Sequence, residues 1–467
     1  MTDPAGVVVN DIHSQLNPTR VSRIVSVDSV EAIQAAIAAA RREGRPICVA
    51  GGRHAMGGQQ FASGGVLVDT TPLNRVLSFD SGRGVVEAEA GIRWPALIEA
   101  LLVSPDGQPP QWGIAQKQTG ADRLSLGGAL AANAHGRGLR MKPLIADVDS
   151  FVLIDAEGAV RTCRRRENSE LFRLAIGGYG LFGVISSVRL RLAPRQKLQR
   201  VVEVVEVGDL LPTFEQRIAD GFLYGDFQFA IDERSDDFLR KGIFSCYRPI
   251  DPATPIPDHQ RQLSDSDWWT LLTLAHQDRA QAYRVYRDHY LATSGQIYWS
   301  DLHQLSTYID DYHRRLDVQV GESVGATEVI TEVYVPRPAL VGFLDDARDD
   351  LQKAGVPVIY GTIRLIERDD ESFLAWARQP YACVIFNLHT RHSPDGLEDS
   401  AAAFRRLIDR AVRRGGSYYL TYHRYATRDQ LEACYPPFAD FLRLKRTYDP
   451  EERFQSEWYR HYKQLFD

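Results

Sequence analysis

Four glycines within eight residues surround a single histidine in the segment Gly51-Gly52-Arg53-His54-Ala55-Met56-Gly57-Gly58. Glycine tolerates positive φ and has no Cβ, so the N–H groups of such a turn can converge on an anion. The apolar run at 46–50 precedes the turn and predicts a buried strand. Loops use glycine freely, so the meaning of this turn depends on what accompanies it. His54 is the residue of the turn whose side chain can do chemistry.

Two further turns have the same small-residue character, at 125–138 and at 176–185. Small side chains are needed where a backbone lies flat against a planar ring or a phosphate. For the second turn the alternative is a tightly packed helix entry, and the pattern alone leaves both interpretations open. The third turn precedes an alternating strand at 187–192, which has one solvated basic face.

The elements around the first turn predict a compact α+β unit. A helix with apolar residues at helical spacing follows Asp28 or Ser29, either of which can cap it. Strands are predicted at 47–50 and 65–69, followed by a hairpin and a helix at 94–102. A dinucleotide-binding βαβ unit is a weak rival, because it needs a crossover helix after the turn. Here the second strand follows the turn directly.

The composition bounds the class of protein. The chain has 467 residues, 44% of them hydrophobic and 25% charged, which suits two domains or one large mixed unit. Its net charge of -6 argues against a nucleic-acid partner. Five cysteines lie far apart, so we expect neither a zinc site nor a disulfide framework, and we predict no metal ligands. Residues 1–17 are expected to form a loose arm without a signal peptide or membrane anchor, which predicts a cytoplasmic protein.

Strands followed by helices in the middle of the chain predict an antiparallel sheet with helices on one face. Several polar residues lie on these strands. Arg364 alternates with apolar neighbours and faces either solvent or a site. Asn387 and His389 share one face of a strand, and that face is either solvated or part of a site. Glu328 and Glu332 have the same two options, of which the solvated face is favoured.

Together the three turns resemble the vanillyl-alcohol oxidase superfamily of flavoproteins, which includes cytokinin dehydrogenases, aldonolactone and alditol oxidases and decaprenylphosphoryl-ribose oxidases. The resemblance is strong over about 20–195, moderate over about 415–460 and weak between. It implies an α+β fold in which 1–195 form a two-part FAD-binding domain of the PCMH type. A substrate domain at 196–414 would follow, and 415–467 would pack back on the FAD domain.

The resemblance also assigns individual residues to the cofactor. The residues implied in FAD binding are Ala50, Gly51, Gly52, Arg53, His54, Ala55 and Gln59 in the first turn, Gly120, Ser125, Leu126, Gly127 and Gly128 around the second, Ala132, Asn133, Ala134 and His135 along the flavin, and Ile185 and Tyr419. His54, with Gln59 after it, stands where cytokinin dehydrogenases carry a histidine joined to the flavin 8α-methyl carbon. A covalent histidyl-FAD bond is therefore implied, and a non-covalent loop histidine is the alternative. No cysteine occurs between Cys48 and Cys163, so a second link is not expected.

The segment 415–423 is predicted as a turn and a strand, and it resembles the last strand of the decaprenylphosphoryl-ribose oxidases. Tyr419 matches a tyrosine that touches FAD in those enzymes. Tyr422 stands at the position of their substrate-facing lysine, so the same substrate is not implied. Tyr422 and its neighbour His423 are candidates to handle a substrate proton, and plain strand packing is the alternative for both.

The resemblance implies that FAD accepts a hydride at flavin N5 from a carbon that bears an alcohol or an amine. The predicted reaction is oxidation of an alcohol in a small molecule such as a sugar or alditol. His135, Tyr422 and His423 are the predicted polar groups near the flavin. A neutral histidine, or a tyrosine with a lowered pKa, would take the proton, and Arg364 would stabilise developing charge.

Three alternatives remain open: oxidation of a C–N bond as in cytokinin dehydrogenases, oxidative ring closure of a natural product, and an FAD-binding module without turnover. The electron acceptor is expected to be O2 or a redox partner. In aldonolactone oxidases a glycine just before the matching His-Gly favours reaction with O2. Ala134 stands at that position here, which favours a dehydrogenase.

Overall fold

The computed structural model describes residues 6–103, 111–306, 309 and 311–467, which fold into mixed helices and sheets of the α+β class. The strands are, in chain order, β1 (Val7–Val9), β2 (Thr19–Val21), β3 (Arg23–Ser26), β4 (Ile47–Ala50), β5 (Val66–Asp69), β6 (Val76–Asp80), β7 (Val85–Glu89), β8 (Trp112–Gly113), β9 (Val148–Ile154), β10 (Val160–Arg164), β11 (Val184–Arg191), β12 (Ala193–Pro194), β13 (Lys197–Glu206), β14 (Tyr224–Phe229), β15 (Lys241–Pro249), β16 (Ile297–Trp299), β17 (Ala326–Pro336), β18 (Val358–Ile366), β19 (Tyr381–Arg391) and β20 (Ser417–Tyr418). The α-helices are α1 (Val30–Arg42), α2 (Trp94–Leu102), α3 (Leu126–Ala132), α4 (Ser169–Ala175), α5 (Val207–Ala219), α6 (Asp265–Gln277), α7 (Arg279–Ala292), α8 (Tyr312–Val320), α9 (Leu340–Ala354), α10 (Pro394–Val412), α11 (Arg428–Cys434), α12 (Phe438–Tyr448) and α13 (Glu457–Phe466). Among these helices, none is long and apolar enough to cross a membrane.

A small parallel sheet carries the first glycine turn. Its three strands lie in the order β3-β5-β4, and α1 packs against it. The predicted cap of α1 is confirmed, because the Ser29 hydroxyl accepts a hydrogen bond from the Ala32 N–H. The apolar face of the helix, which includes Ile33 and Ile37, is buried. β4 ends at Ala50, so the turn that follows is held by a rigid strand.

A second sheet brings the other two turns together. Its five strands lie in the order β10-β9-β11-β7-β6 with antiparallel neighbours. α3 belongs to the second turn and packs against β11. The Gly177 and Tyr179 N–H groups of the third turn donate to the carbonyls of Leu130 and Ala131 in α3, each at 3.0 Å. Backbone hydrogen bonds therefore fix the third turn on the second.

An eight-stranded antiparallel sheet forms the middle of the chain, in the order β16-β13-β15-β14-β18-β19-β17-β20. α5, α9 and α10 pack against it on one face, and this agrees with the predicted architecture. α6 and α8 add a second group on the opposite face, where His276 and His313 contact Glu328 of β17. The segment predicted as a strand at 415–423 is extended only at β20, and Tyr419 to His423 lie in a turn.

The prediction of a loose N-terminal arm is wrong for residues 6–17, whereas 1–5 lie outside the described residues. β1 pairs with β2, and the Asp11 carboxylate is buried. Asp11 accepts hydrogen bonds from the Ser14 N–H at 2.6 Å and from Asn17 Nδ2 at 2.9 Å. Asn17 Nδ2 also donates to the Met56 carbonyl of the first glycine turn at 2.7 Å. These buried polar contacts attach the segment to the turn.

The C-terminal segment returns to the glycine turns. The Ile47 N–H of β4 donates to the Arg453 carbonyl at 2.6 Å. The ring of Trp458 in α13 packs on that of Tyr179 in the third turn, with centroids 4.8 Å apart. Trp458 Nε1 and Gln59 Nε2 both donate to the Leu420 carbonyl, at 3.2 and 3.1 Å. Leu420, Arg453 and Trp458 of the C-terminal segment therefore pack against the strand and the turns that precede them in the chain.

Candidate active site

The three glycine turns line one side of a cavity of about 1010 Å³, and the eight-stranded sheet lines the other. On the sheet, side chains at alternate positions of β17, β18 and β19 face this space. The register places Glu332 of β17 opposite Ile385 of β19, and Glu328 opposite His389. The cavity is large enough for a dinucleotide cofactor and a small substrate together.

The first turn lies directly on the second, without room for side chains between them. A Cβ built on Gly51 would lie 2.1 Å from Ser125 Oγ, and one on Gly52 would lie 2.5 Å from the Arg123 carbonyl oxygen. A Cβ on Gly127 would lie 2.8 Å from the Cβ of Ala90. Glycine is thus required at these positions by the close approach of neighbouring backbone and side-chain atoms. This is the arrangement that a pyrophosphate-binding cradle needs.

We expect Gly51→Ala to lower the free energy of unfolding by about 1–3 kcal/mol and to reduce the flavin content of the purified protein, because the added methyl group overlaps Ser125. Thermal unfolding and the ratio of flavin to protein absorbance measure the two effects. Gly208→Ala in α5 is the control, since no atom lies within 4 Å of its Cβ, and it should change neither quantity adversely. Full flavin content in Gly51→Ala would contradict the close packing of the two turns.

Most of the residues predicted to bind FAD line the cavity. Those that line it are Ala50, Gly51, Gly52, Arg53, His54, Ala55, Gln59, Gly120, Ser125, Gly127, Gly128, Ala132, Ala134, His135, Ile185 and Tyr419. Two predicted residues point away, and these assignments are corrected. Leu126 is buried in the apolar core beneath α3. Asn133 Nδ2 donates to Asp369 Oδ2 at 2.8 Å and its Oδ1 accepts from the Ile145 N–H at 3.0 Å, so its side chain is used in packing.

His54 sits at the cavity wall with one ring nitrogen engaged. Its Nδ1 lies 2.7 Å from Nε2 of His13, which belongs to the N-terminal segment. Its Nε2 is buried, and a hydrogen bond of the ring with the backbone of Arg123 acts to raise the pKa of His54. Burial outweighs this and, with a smaller contribution from His13, lowers the pKa of His54 to about 2. The lowered pKa favours the neutral imidazole, whose Nε2 is nucleophilic in the tautomer that carries its proton on Nδ1.

A buried contact between a histidine and a carboxylate joins the second turn to the sheet. His135 Nε2 lies 2.6 Å from Glu332 Oε1, and His135 Nδ1 lies 3.0 Å from the Gly136 carbonyl oxygen. Cys383 Sγ donates to the same Glu332 oxygen at 2.8 Å. Burial favours a protonated carboxyl, but the contacts with His135 and Cys383 outweigh it and lower the pKa of Glu332. The expectation of a solvated Glu332 is wrong, since its side chain is 1% exposed.

Tyr422, Tyr419 and Arg364 lie near this pair at the cavity wall. Burial, together with the charge of Glu332, raises the pKa of Tyr422 well above its usual range. The predicted tyrosine of lowered pKa is therefore wrong, and the Tyr422 hydroxyl is a hydrogen-bond donor. The Tyr419 hydroxyl donates to the Ala132 carbonyl at 2.7 Å, which ties the turn after β20 to the second glycine turn. Arg364 Nε is buried without a partner among the described residues.

His423 does not face the cavity, which corrects its prediction as a near-flavin group. Its ring stacks on Phe404 of α10 with centroids 4.4 Å apart. Its Nε2 lies 3.0 Å from the Thr331 hydroxyl, on the face of β17 opposite to Glu332. The backbone turns after Tyr418, so Tyr422 and His423 point to different sides of the sheet. The His423 ring packs against α10 in the helical layer.

Comparison with known proteins identifies the cofactor. Residues 21–164 match the family model described as an FAD binding domain. L-gulono-1,4-lactone dehydrogenase of Mycobacterium tuberculosis is 25% identical over 439 residues, covering 94% of this chain and 95% of that protein. These matches support the vanillyl-alcohol oxidase superfamily of FAD-dependent oxidoreductases for this chain.

Other members of the superfamily match over shorter stretches. An uncharacterized oxidoreductase of the fasciation locus in Rhodococcoides fascians is 32% identical over 203 residues, 42% of this chain and 44% of that protein. Cytokinin dehydrogenase 9 of Oryza sativa subsp. japonica is 30% identical over 163 residues, 34% of this chain and 30% of that enzyme. The chain is thus similar to proteins whose printed names carry different activities.

The sequence analysis missed several residues of this flavoprotein's cavity. They are polar residues with a buried oxygen that has no partner among the described residues: Asp226 and Gln228 on β14 and Thr362 on β18. Glu332 and Asn387, for which the sequence left both faces open, also line the cavity. Alternation along each strand could have grouped them into faces. It could not have told which face meets the cofactor, because β17 and β19 are buried on both sides.

Proposed function

We propose that this flavoprotein oxidises a CH–OH group of a sugar, alditol or related polyhydroxylated molecule. The observation that carries the proposal is the buried carboxylate of Glu332 at the cavity wall, whose pKa is lowered. Its Oε1 is held by His135 and Cys383, whereas its buried Oε2 makes no hydrogen bond of ordinary length to the described residues and has the hydroxyl groups of Tyr334 and Tyr422 as neighbours. Such an oxygen is placed to accept a proton from a substrate hydroxyl.

Each side chain has a separate task in this proposal. When bound, FAD supplies the hydride acceptor. Glu332 takes the hydroxyl proton, and His135 holds its carboxylate in place through the 2.6 Å contact. Tyr422 donates a hydrogen bond, and Arg364 offers a positive charge to the oxygen that becomes a carbonyl. Enclosure of these groups by the sheet and the turns keeps water away from them.

Support for a polyhydroxylated substrate comes from the polar side chains that the sheet presents to the cavity. Asp226, Gln228, Thr362 and Asn387 each have a buried oxygen without a partner among the described residues. Leaving such groups unpaired costs about 1–3 kcal/mol each, so a ligand that pairs them gains affinity. A molecule with several hydroxyl groups can do so. The mycobacterial relative named as a lactone dehydrogenase is consistent with this class.

We also propose the division of labour along the chain. Residues 1–195 bind FAD, 196–414 form the substrate side, and 415–467 support the cofactor turns. His54 joins the flavin covalently through Nε2, because Nδ1 is already engaged by His13. The neutral imidazole of His54 would hold the 8α-carbon of FAD; because the C–N bond replaces a C–H bond, the link is a two-electron oxidation, for which the flavin ring would supply the electron acceptor.

A substrate panel with the purified, flavin-loaded protein tests the proposal. We expect alditols, aldoses or aldonolactones to bleach the flavin absorbance anaerobically and to reduce a redox dye. Amines and N6-substituted adenines should leave the flavin oxidised. Bleaching by the amines alone would favour the C–N reaction, and no bleaching by any compound would favour a binding module. Repeating the assay in air distinguishes O2 from another acceptor, and Ala134 favours the latter.

A further inference from the structure

A second buried cluster surrounds Glu328, which lies on the same face of β17 as Glu332. Ile330 lies between the two glutamates on that face. Glu328 is 2% exposed, and three histidines from different elements surround its carboxylate. His276 Nε2 of α6 lies 2.9 Å from Oε1, and His389 Nδ1 of β19 lies 3.3 Å from the same oxygen. His313 Nδ1 of α8 lies 3.2 Å from Oε2. The expectation that Glu328 is solvated is therefore wrong.

Two of these rings lie within hydrogen-bond distance of the carboxylate. His276 Nε2 and His389 Nδ1 both contact Glu328 Oε1, and the donor or acceptor role of each nitrogen depends on the tautomer of its ring. On the outer side, His276 Nδ1 lies 2.8 Å from the Leu272 carbonyl oxygen, and His389 Nε2 lies 3.7 Å from Glu322 Oε1. In the tautomer that carries its proton on the outer nitrogen, each ring presents a lone pair beside Glu328, where a positive ion can bind it.

Both histidines have the outer partners that metal-binding histidines usually have. A ligating imidazole donates its remote N–H to a carbonyl or a carboxylate, which fixes the tautomer and the ring plane. The Leu272 carbonyl does this for His276, and Glu322 is placed to do it for His389. The two rings are nearly perpendicular, with an interplanar angle of 84°. Their orientation is thus set by groups outside the cluster.

The spacing fits a small divalent ion. Bonds of about 2.0–2.1 Å in a tetrahedral zinc site place neighbouring ligand atoms about 3.3 Å apart. The separations from Glu328 Oε1 to the two ring nitrogens are 2.9 and 3.3 Å. All three ligand atoms lie within 4.8 Å of one another. The other carboxylate oxygen, Oε2, accepts a hydrogen bond from the Tyr312 hydroxyl and lies 3.2 Å from His313 Nδ1.

We infer that His276, Glu328 and His389 bind a divalent transition-metal ion. Two imidazoles and one carboxylate are a ligand set of Zn²⁺ sites, in which a further position is filled by water or another side chain. The ion would fasten α6 to β17 and β19 beside the cavity, which Leu272 and Glu328 line. Zn²⁺ has no redox chemistry, so the ion would act on the shape of the cavity wall and not on electron transfer.

Metal analysis of the flavin-loaded, full-length protein tests this inference. The protein should be purified without a histidine tag or chelator and analysed by mass spectrometry for metals. We expect about one Zn²⁺ per chain in the wild type and less than about 0.1 in His276→Gln and Glu328→Gln. His259→Gln is the control, because His259 is exposed and lies outside the cluster, and it should keep the wild-type content. Flavin absorbance reports that each variant is folded.

Cobalt provides a readout that reports coordination. After removal of bound metal, addition of Co²⁺ should give a visible d–d spectrum of nitrogen and oxygen ligation in the wild type and in His259→Gln. The spectrum should be absent in Glu328→Gln, which keeps the size of the side chain and decides the question if His276→Gln does not fold. A wild type that neither retains Zn²⁺ nor develops the Co²⁺ spectrum would overturn the inference. Equal metal content in the wild type and Glu328→Gln would also overturn it.

Discussion

Replacing Glu332 with glutamine should lower the rate constant of flavin reduction by about 10²–10⁴-fold while FAD stays bound. The change replaces the carboxylate by a neutral amide, which cannot accept the substrate proton as a base, but it keeps the size of the side chain. His135 remains 4% exposed between the second turn and the sheet. Stopped-flow absorbance under anaerobic conditions, with the best substrate of the panel, measures the rate constant directly.

Glu203→Gln is a matched control for this change. Glu203 lies on β13, outside the cavity, and its side chain is 42% exposed in an ion pair with Arg217. Exposed pairs of this kind contribute little, so the control should reduce its flavin at the wild-type rate. If Glu332→Gln changed only KM, the residue would position the substrate without taking its proton. An unchanged rate constant would remove Glu332 from the chemistry altogether.

Replacing His54 with alanine should abolish covalent attachment of the flavin. The wild-type protein should stay yellow after acid precipitation, and its band on a denaturing gel should fluoresce under ultraviolet light. In His54→Ala the precipitate should be colourless, because the nucleophilic Nε2 is gone. The remaining turn still has the backbone geometry to bind FAD without the bond, so the native variant can be yellow before denaturation.

His423→Gln serves as the control for the covalent bond, since His423 is buried but lies on the far side of β17. Its flavin should survive denaturation as in the wild type. Colour in the denatured His54→Ala protein would place the bond on another residue. A wild type that loses all its flavin on denaturation would show that His54 binds the cofactor only non-covalently.

The glycine turns and the elements before them could be predicted from the sequence because their causes are local. Ser29 caps α1, the apolar positions of that helix follow one face, and glycines mark places where backbones touch. The N-terminal segment could not be predicted in the same way. Its order depends on Asn17 reaching Met56 and on His13 reaching His54, contacts that join residues about forty positions apart.

The sheet shows a different kind of limit. Alternation along β17 correctly places Glu328 and Glu332 on one face, but a solvated face was expected because charged residues are rarely buried. One face of β17 packs against α9 and α10. The other face lines the cavity and contacts α8. Glu332 lies at the cavity and His423 in the helical layer because the two side chains point to opposite faces of the sheet. That information lies in the packing of distant elements.

The contacts between Trp458, Leu420 and Gln59 have a consequence for biogenesis. The first glycine turn has its full support only after residue 458 has been synthesised and has left the ribosome. A nascent chain that ends before α13 contains all three glycine turns, but it lacks the Trp458 ring that packs against Tyr179. We therefore expect cofactor loading to follow release of the chain, so that flavin supplied after synthesis should fill the protein as well as flavin supplied during it.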